Sequence, residues 1–142
     1  MIILGLKTDQ PTAELWLYED GKKLQYQEWS AHLKLAETIN SEIDKILNLV
    51  NKLLDESSNL NGASKPQRLD GIVAFKGPGS FTGLRIGLTV ANALAYANQI
   101  PIVARTGKNW LQTGIDDILL GKDDKVAMPF YDRPAATTPP KN

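Results

Sequence analysis

The sequence contains no cysteine and a single histidine, His32. Without thiols there is no disulfide, no thiolate nucleophile and no cysteine zinc site. One imidazole leaves only a system built on His32 for Ser–His chemistry and excludes a histidine-rich metal centre. Neither sign of charge is in excess, with 16 Lys plus Arg against 16 Asp plus Glu. Proteins that grip nucleic acid alone draw most of their non-specific affinity from a basic surplus. The balance therefore argues against independent RNA binding and leaves open RNA contact shared with a basic partner. No apolar run approaches the length of a membrane span. The opening Met1-Ile2-Ile3-Leu4-Gly5-Leu6-Lys7 lacks the basic region and length of a signal peptide. The expectation is a cytoplasmic protein with no membrane contact.

What is present is a 142-residue chain with 42% apolar residues, enough for one ordinary core. Ile2–Lys7 reads as a buried strand ended by the turn residues Thr8-Asp9-Gln10-Pro11. Ala13–Tyr18 alternates, with Ala13, Leu15 and Leu17 on one face. Asp20-Gly21 then signals a hairpin whose central residues need positive φ. Lys22–Trp29 returns, with Leu24, Tyr26 and Glu28 assigned to one side. From Leu33 to Glu56 the period lengthens to that of a helix, and the later segments add a strand at Asp70–Lys76, a helix to Gln99, a strand at Pro101–Ala104 and a short helix at Asn109–Leu120. The predicted order is β-β-β-α-β-α-β-α, an α/β fold with a mixed sheet. Residues 1–120 form the expected lobe and 121–142 a polar, Pro-rich tail, extended and poorly ordered on its own.

Two helices carry the docking signal. In the first, Ala36, Ile39, Ile43, Ile46, Val50 and Leu53 recur at alternating spacings of three and four, the seam of a helix packed along another helix. Packing on the chain's own sheet is the plainer alternative. In the second, Gly83, Gly87, Ala91 and Ala95 recur every four residues. A helix-interior glycine costs about 1 kcal/mol relative to alanine, so something, sheet or helix, is expected to approach this ridge closely. Arg85, Thr89, Asn92, Tyr96 and Gln99 form a polar stripe beside it. The expected interface is the seam together with Gly83, Gly87, Ala91, Arg85, Thr89 and Asn92.

Between strand and helix lie Gly77, Pro78, Gly79, Ser80, Phe81, Thr82 and Gly83. A loop feeding a helix start suits an anion or nucleotide phosphate, which makes Gly77, Gly79, Ser80, Phe81, Thr82 and Gly83 the candidate site and a small nucleotide-binding or phosphotransfer enzyme the alternative function. Generic templates fail: Thr82 stands where a dinucleotide loop needs its third glycine, and no Gly-Lys pair makes a P-loop. Ser80 or Thr82 is better read as a helix cap than as a nucleophile. His32 reads as a surface residue at a helix start, and no metal site is expected. Asp116-Asp117 and Asp123-Asp124 read as solvated pairs. Trp16, Trp29 and Trp110 read as core or interface.

The run Gly77-Pro78-Gly79-Ser80-Phe81-Thr82-Gly83-Leu84-Arg85-Ile86-Gly87 resembles the signature of the TsaB (YeaZ) family, and Pro129-Phe130-Tyr131-Asp132-Arg133-Pro134 is similar to that family's closing Pro-x-Tyr-x-Arg. The resemblance runs from residue 2 to about 120. It implies a single lobe of the actin/Hsp70/sugar-kinase (ribonuclease H-like) fold. It further implies a non-catalytic subunit in tRNA threonylcarbamoyladenosine synthesis, docked through a helical bundle to a catalytic TsaD-like paralogue. A TsaE-like ATPase joins them, tRNA is reached only through the complex, and a homodimer through the same helices competes. No cofactor is implied beyond weak ATP or ADP binding at a shared interface. The chain has Lys7-Thr8 where family members carry Asp-Thr, the Asp that helps place a metal-bound phosphate. Typical members also continue into a second lobe.

Overall fold

β1 (Ile2–Lys7) is the middle strand of the sheet, which explains why its sequence is a continuous apolar run rather than an alternation. Ile2, Ile3, Leu4 and Leu6 are all buried. β2 (Thr12–Glu19) and β3 (Lys22–Ser30) run antiparallel beside it, joined at Asp20 and Gly21, whose φ values are 50° and 85°. The predicted hairpin turn is therefore formed as expected. In this computed structural model of the chain, residues 1–58 and 69–130 are described, and of residues 50, 51 and 53–58 only the backbone. The expected loop at 57–68 lies largely outside them, as does the Pro-rich stretch from residue 131.

α1 (Leu35–Ser58) crosses the sheet, followed by β4 (Gly71–Phe75), α2 (Phe81–Asn98), β5 (Ile102–Arg105) and α3 (Trp110–Leu119). The element order matches the one predicted. Strand order is β3-β2-β1-β4-β5, with β4 parallel to β1 and β5 parallel to β4. α1 begins at Leu35 rather than at Leu33 because Leu33 holds φ 61°, outside the helical region.

The sheet separates two cores. On one side Leu4, Leu6, Leu15, Leu17, Ile72 and Ile102 meet Ile39, Ile43 and Ile46 of α1 and Leu88, Ala91 and Ala95 of α2. On the other, Ile3, Val73 and Val103 meet Trp110, Ile115 and Ile118 of α3. α3 approaches so closely that a side chain at Gly114 would run into Val73. It packs on β4 and β5, whereas β2 and β3 face α1 on the other side.

β3 departs from its predicted pattern. A bulge between Leu17 and Tyr18 of β2 shifts the register, so that Leu17 opposes Gln25 while Tyr18 opposes Lys23. Leu24 is the extra residue and packs with the α1 side. Tyr26 and Glu28 lie opposite Trp16 and Glu14. The assignment of Leu24, Tyr26 and Glu28 to one face is corrected accordingly: one inserted residue reverses the alternation beyond it.

The stretch after Gly121 binds back onto the lobe. Asp123 and Asp124 accept hydrogen bonds from the β5 amides of Ile102 (3.1 Å) and Ala104 (2.9 Å), and the Asp124 amide donates to the Ile102 carbonyl (2.8 Å). Ala127 is buried, and the Phe130 amide donates to the Lys76 carbonyl at 2.7 Å. Residues 123–130 thus belong to the lobe, against an expected boundary at residue 120. Their acidic side chains find partners in the unpaired amides of an edge strand, a three-dimensional match that no local pattern displays.

Candidate docking face and glycine loop

α1 is held to the hairpin by polar as well as apolar contacts. The Trp29 indole N–H donates to the Thr38 hydroxyl at 2.9 Å, and the Gln27 amide donates to the Glu42 carbonyl and carboxylate, both at 2.9 Å. The seam predicted as an interface points inward. Ile39 and Ile46 are fully buried, and Ile43 is 4% exposed, all in the chain's own core. Ile39 and Ile46 are corrected from interface to core residues, because a helix lying on a sheet generates the same periodicity as one lying on a helix, while Ile43 also borders the groove between the helices. Ala36 is exposed, while the side chains of Val50 and Leu53 lie outside the described residues.

The small-residue ridge of α2 is also inward. A Cβ on Gly83 would strike the Thr8 carbonyl oxygen, and one on Gly87 the Thr8 hydroxyl. That hydroxyl donates to the Gly83 carbonyl at 2.8 Å, so α2 rests directly on the end of β1. Gly87 and Ala91 are buried against the sheet, and Asn92 exchanges two hydrogen bonds with the Ala127 backbone (2.7 and 3.0 Å). Gly87, Ala91 and Asn92 are therefore committed within the chain. Arg85 and Thr89 remain exposed, with Arg85 lying over the Phe81 ring.

What these helices leave open is the crevice between them. Ile43 and Leu47 of α1 and Val90 and Leu94 of α2 form its floor. Asn40, Asp44, Thr89, Ala93 and Ala97 form its walls, around a groove of about 360 Å³. Ala93 and Ala97 are exposed there, so α2 shows a small-residue surface after all, on the side of the helix away from the predicted ridge. The polar stripe concealed this: Thr89 belongs to it, but the alanines beside it do not.

The glycine loop packs against Thr8 and Asp9, the residues that follow β1. Ser80 caps α2, its hydroxyl accepting from the Gly83 amide at 3.4 Å, as the sequence suggested. The Ser80 amide donates to the Asp9 carbonyl at 3.2 Å, and a Cβ on Gly79 would run into the Asp9 side chain. Gly77, with φ 107°, passes close beneath the Phe130 carbonyl. Asp9 is 6% exposed, and its carboxylate meets the Lys7 ammonium at 2.6 Å and the Gln10 amide at 3.3 Å. Lys7 also lies over the Phe75 ring at 4.7 Å. A carboxylate with its own counter-ion already stands beside the start of α2. Phe81 and Thr82 are exposed at its first turn.

A second cavity, of about 530 Å³, opens between the first turns of α1 and α2. Thr8, His32, Lys34, Ser80, Thr82 and Ile86 are among its lining residues. His32 is exposed at the rim. No group of three metal-ligating side chains occurs among the described residues, and no helix among them is long and apolar enough to cross a membrane.

The acidic pairs do more than meet solvent. Arg105 binds Asp117 at 2.9 Å and Asp124 at 2.7 Å, and Lys122 stands 3.3 Å from Asp117. Hydrogen bonding from Arg105 holds the Asp117 carboxyl below its usual range against the opposing effect of burial. Burial would lower the Arg105 guanidinium, but its two carboxylate partners outweigh that and raise it.

The strand order, the parallel β1-β4-β5 core with an antiparallel hairpin at its flank, and helices on both faces define a lobe of the ribonuclease H-like fold shared by actin, Hsp70 and sugar kinases. Residues 37–105 match the family model described as TsaD, tRNA N6-adenosine threonylcarbamoyltransferase. The chain is 30% identical over 137 residues to the tRNA threonylcarbamoyladenosine biosynthesis protein TsaB of Escherichia coli, covering 92% of this chain and 54% of that one. With its Bacillus subtilis counterpart it shares 59% identity over 39 residues, 28% of this chain and 17% of that one. The solved structure of YeaZ from Pseudomonas aeruginosa superimposes with a TM-score of 0.51 at 28% identity, covering 74% of this chain and 43% of that one. These relatives by sequence and by structure support the TsaB (YeaZ) family for the chain. Its matches span about half the length of the E. coli and P. aeruginosa relatives.

Proposed function

We propose that the chain is a non-catalytic subunit of the assembly that installs threonylcarbamoyl on tRNA, and that it docks a TsaD-like relative through the α1–α2 face. The observation that carries this reading is the open groove between the two helices, apolar at its floor and lined by exposed alanines of α2. Small residues let a second helix approach closely, and the apolar floor supplies burial when it does. The relatives' names tie the family to tRNA threonylcarbamoyladenosine, and the match to the TsaD family model makes a TsaD-like fold a natural partner. Zero net charge fits a protein that reaches tRNA through its complex. A TsaE-like ATPase and a cytoplasmic location belong to the same proposal.

The nucleotide alternative has less support: the Asp9 carboxylate, already paired with Lys7, packs against Gly79 within the loop a phosphate would need. Mixing the chain with the TsaD-type protein of its own organism and measuring mass by light scattering tests the docking reading. A heteromeric species is expected at micromolar protein, and Ala93→Glu should remove it. If the two proteins stay separate, the reading fails. Ile46→Glu or added bulk at Gly87 cannot serve as the test, because both positions are buried in the chain's own core.

A further inference from the structure

The outer edge of β3 is nine residues long, and among the described residues no backbone group pairs with it. On this strand Glu28 sits directly opposite Glu14, a like-charge pairing that destabilises a sheet. Both carboxylates accept from the Tyr26 hydroxyl, Glu14 at 2.6 Å and Glu28 at 2.9 Å. Burial, and then those hydrogen bonds, hold the phenol well above its usual range. No Lys or Arg among the described residues forms an ion pair with either glutamate. Lys7, opposite Glu14 on β1, is drawn to Asp9 instead.

We infer that β3 pairs antiparallel with β3 of a second copy, about a two-fold axis at Tyr26. The strand is self-complementary in that register. Tyr26 meets Tyr26 of the second copy, and Gln25 meets Gln27, which shares its sheet face. The bulge then decides the rest. Because Leu24 is the extra residue, Lys23 lies on the same face as Tyr26 and Glu28. Keeping that bulge brings Lys23 opposite Glu28 of the second copy, and symmetry supplies the reciprocal pair. Each Glu28 thereby gains a cation that it lacks among the described residues of its own chain. Lys23 and Glu28 are both exposed. The surface is separate from the α1–α2 groove, so both can be occupied together. An edge of this length buries less than about 1,200 Å², which makes the dimer weak and concentration-dependent.

Sedimentation across a wide concentration range, with hydrogen exchange on the β3 amides, tests this. The unmodified chain should dimerise, with β3 amides gaining protection as concentration rises. Lys23→Glu and Glu28→Lys should each weaken the dimer about tenfold, since each removes both symmetric pairs and sets like charges opposite. The double variant should restore it. Circular dichroism confirms that each variant is folded, and the exchange measurement on the unmodified chain needs no variant at all. Three outcomes overturn the inference: a monomer at every concentration, a dimer indifferent to the single swaps, or a dimer that leaves β3 amides unprotected. The last would assign self-association to the helices. None of these outcomes bears on TsaD docking, which uses the other surface.

Discussion

α1 and α2 lie side by side on one face of the same sheet, yet they reach it by opposite means. α1 stands off on branched side chains, with Ile39, Ile43 and Ile46 filling the space to the hairpin. α2 has almost no space to fill. Its glycines bring the helix backbone against Thr8, and the helix is fixed by a hydrogen bond from that threonine. The outward flanks differ as well. α2 gives Asn92 to the chain's own segment at Ala127, whereas Asn40 and Asp44 of α1 are exposed at the groove. Periodicity alone therefore says that a helix has a committed stripe, and not to whom it is committed. What remains for a partner is the narrow strip where two differently seated helices meet.

The comparison breaks most visibly at α1. Ile46→Glu would place an unpaired carboxylate in a site with no exposure. The expected loss is about 4 kcal/mol or more. Chemical denaturation should find the variant largely unfolded, and a stable folded variant would show that α1 is not seated as described.

At α2 the expected losses are smaller but diagnostic. Gly83→Ala sets a methyl against the Thr8 backbone carbonyl, while Gly87→Ala sets one against the Thr8 side chain. Each should cost about 1–3 kcal/mol as overpacking. Thr8→Ala should recover part of the Gly87→Ala loss and none of the Gly83→Ala loss, since only the side chain can be deleted. A double-mutant cycle in urea measures this. Equal rescue at both positions would mean that the ridge meets something other than Thr8.

The unequal visibility of these features in the sequence has a physical origin. The eight elements were legible because each has its own period or turn chemistry, and Asp20-Gly21 and Ser80 announced their roles through φ and capping preferences. The direction of the α1 seam was not legible, because Ile39 and Ile46 would recur identically against a sheet or a partner. The bulge at Leu24 leaves no local mark, so the sheet face of Tyr26 and Glu28 relative to Leu24 was misassigned. Asp123 and Asp124 looked solvated because their partners, the amides of Ile102 and Ala104, lie about twenty residues away. The glycine ridge was read correctly as a place of close approach, but only the structure identifies Thr8 as what approaches.

On the outer flank of α2, Asn92→Ala would strip the Ala127 amide and carbonyl of their partners. Ala127 is buried, so about 1–3 kcal/mol should be lost. Amide exchange should accelerate at Ala127 more than at the seam residues of α1. Uniform acceleration would show that the segment and the lobe open as one unit.

The smallest effect on stability carries the most functional weight. Ala93 is exposed on the wall of the groove, so Ala93→Glu touches neither the α1 seam nor the contact of α2 with Thr8. Its cost to folding should stay within about 0.5 kcal/mol, as for other surface substitutions. In a helix-to-helix contact the same carboxylate would be desolvated against the apolar floor formed by Leu47 and Leu94, beside the like charge of Asp44. Unfolding midpoints and light scattering with a TsaD-type partner should therefore diverge: an unchanged midpoint together with a lost complex. A lost midpoint would mean that Ala93 belongs to the fold, and an intact complex would move the docking surface away from the groove.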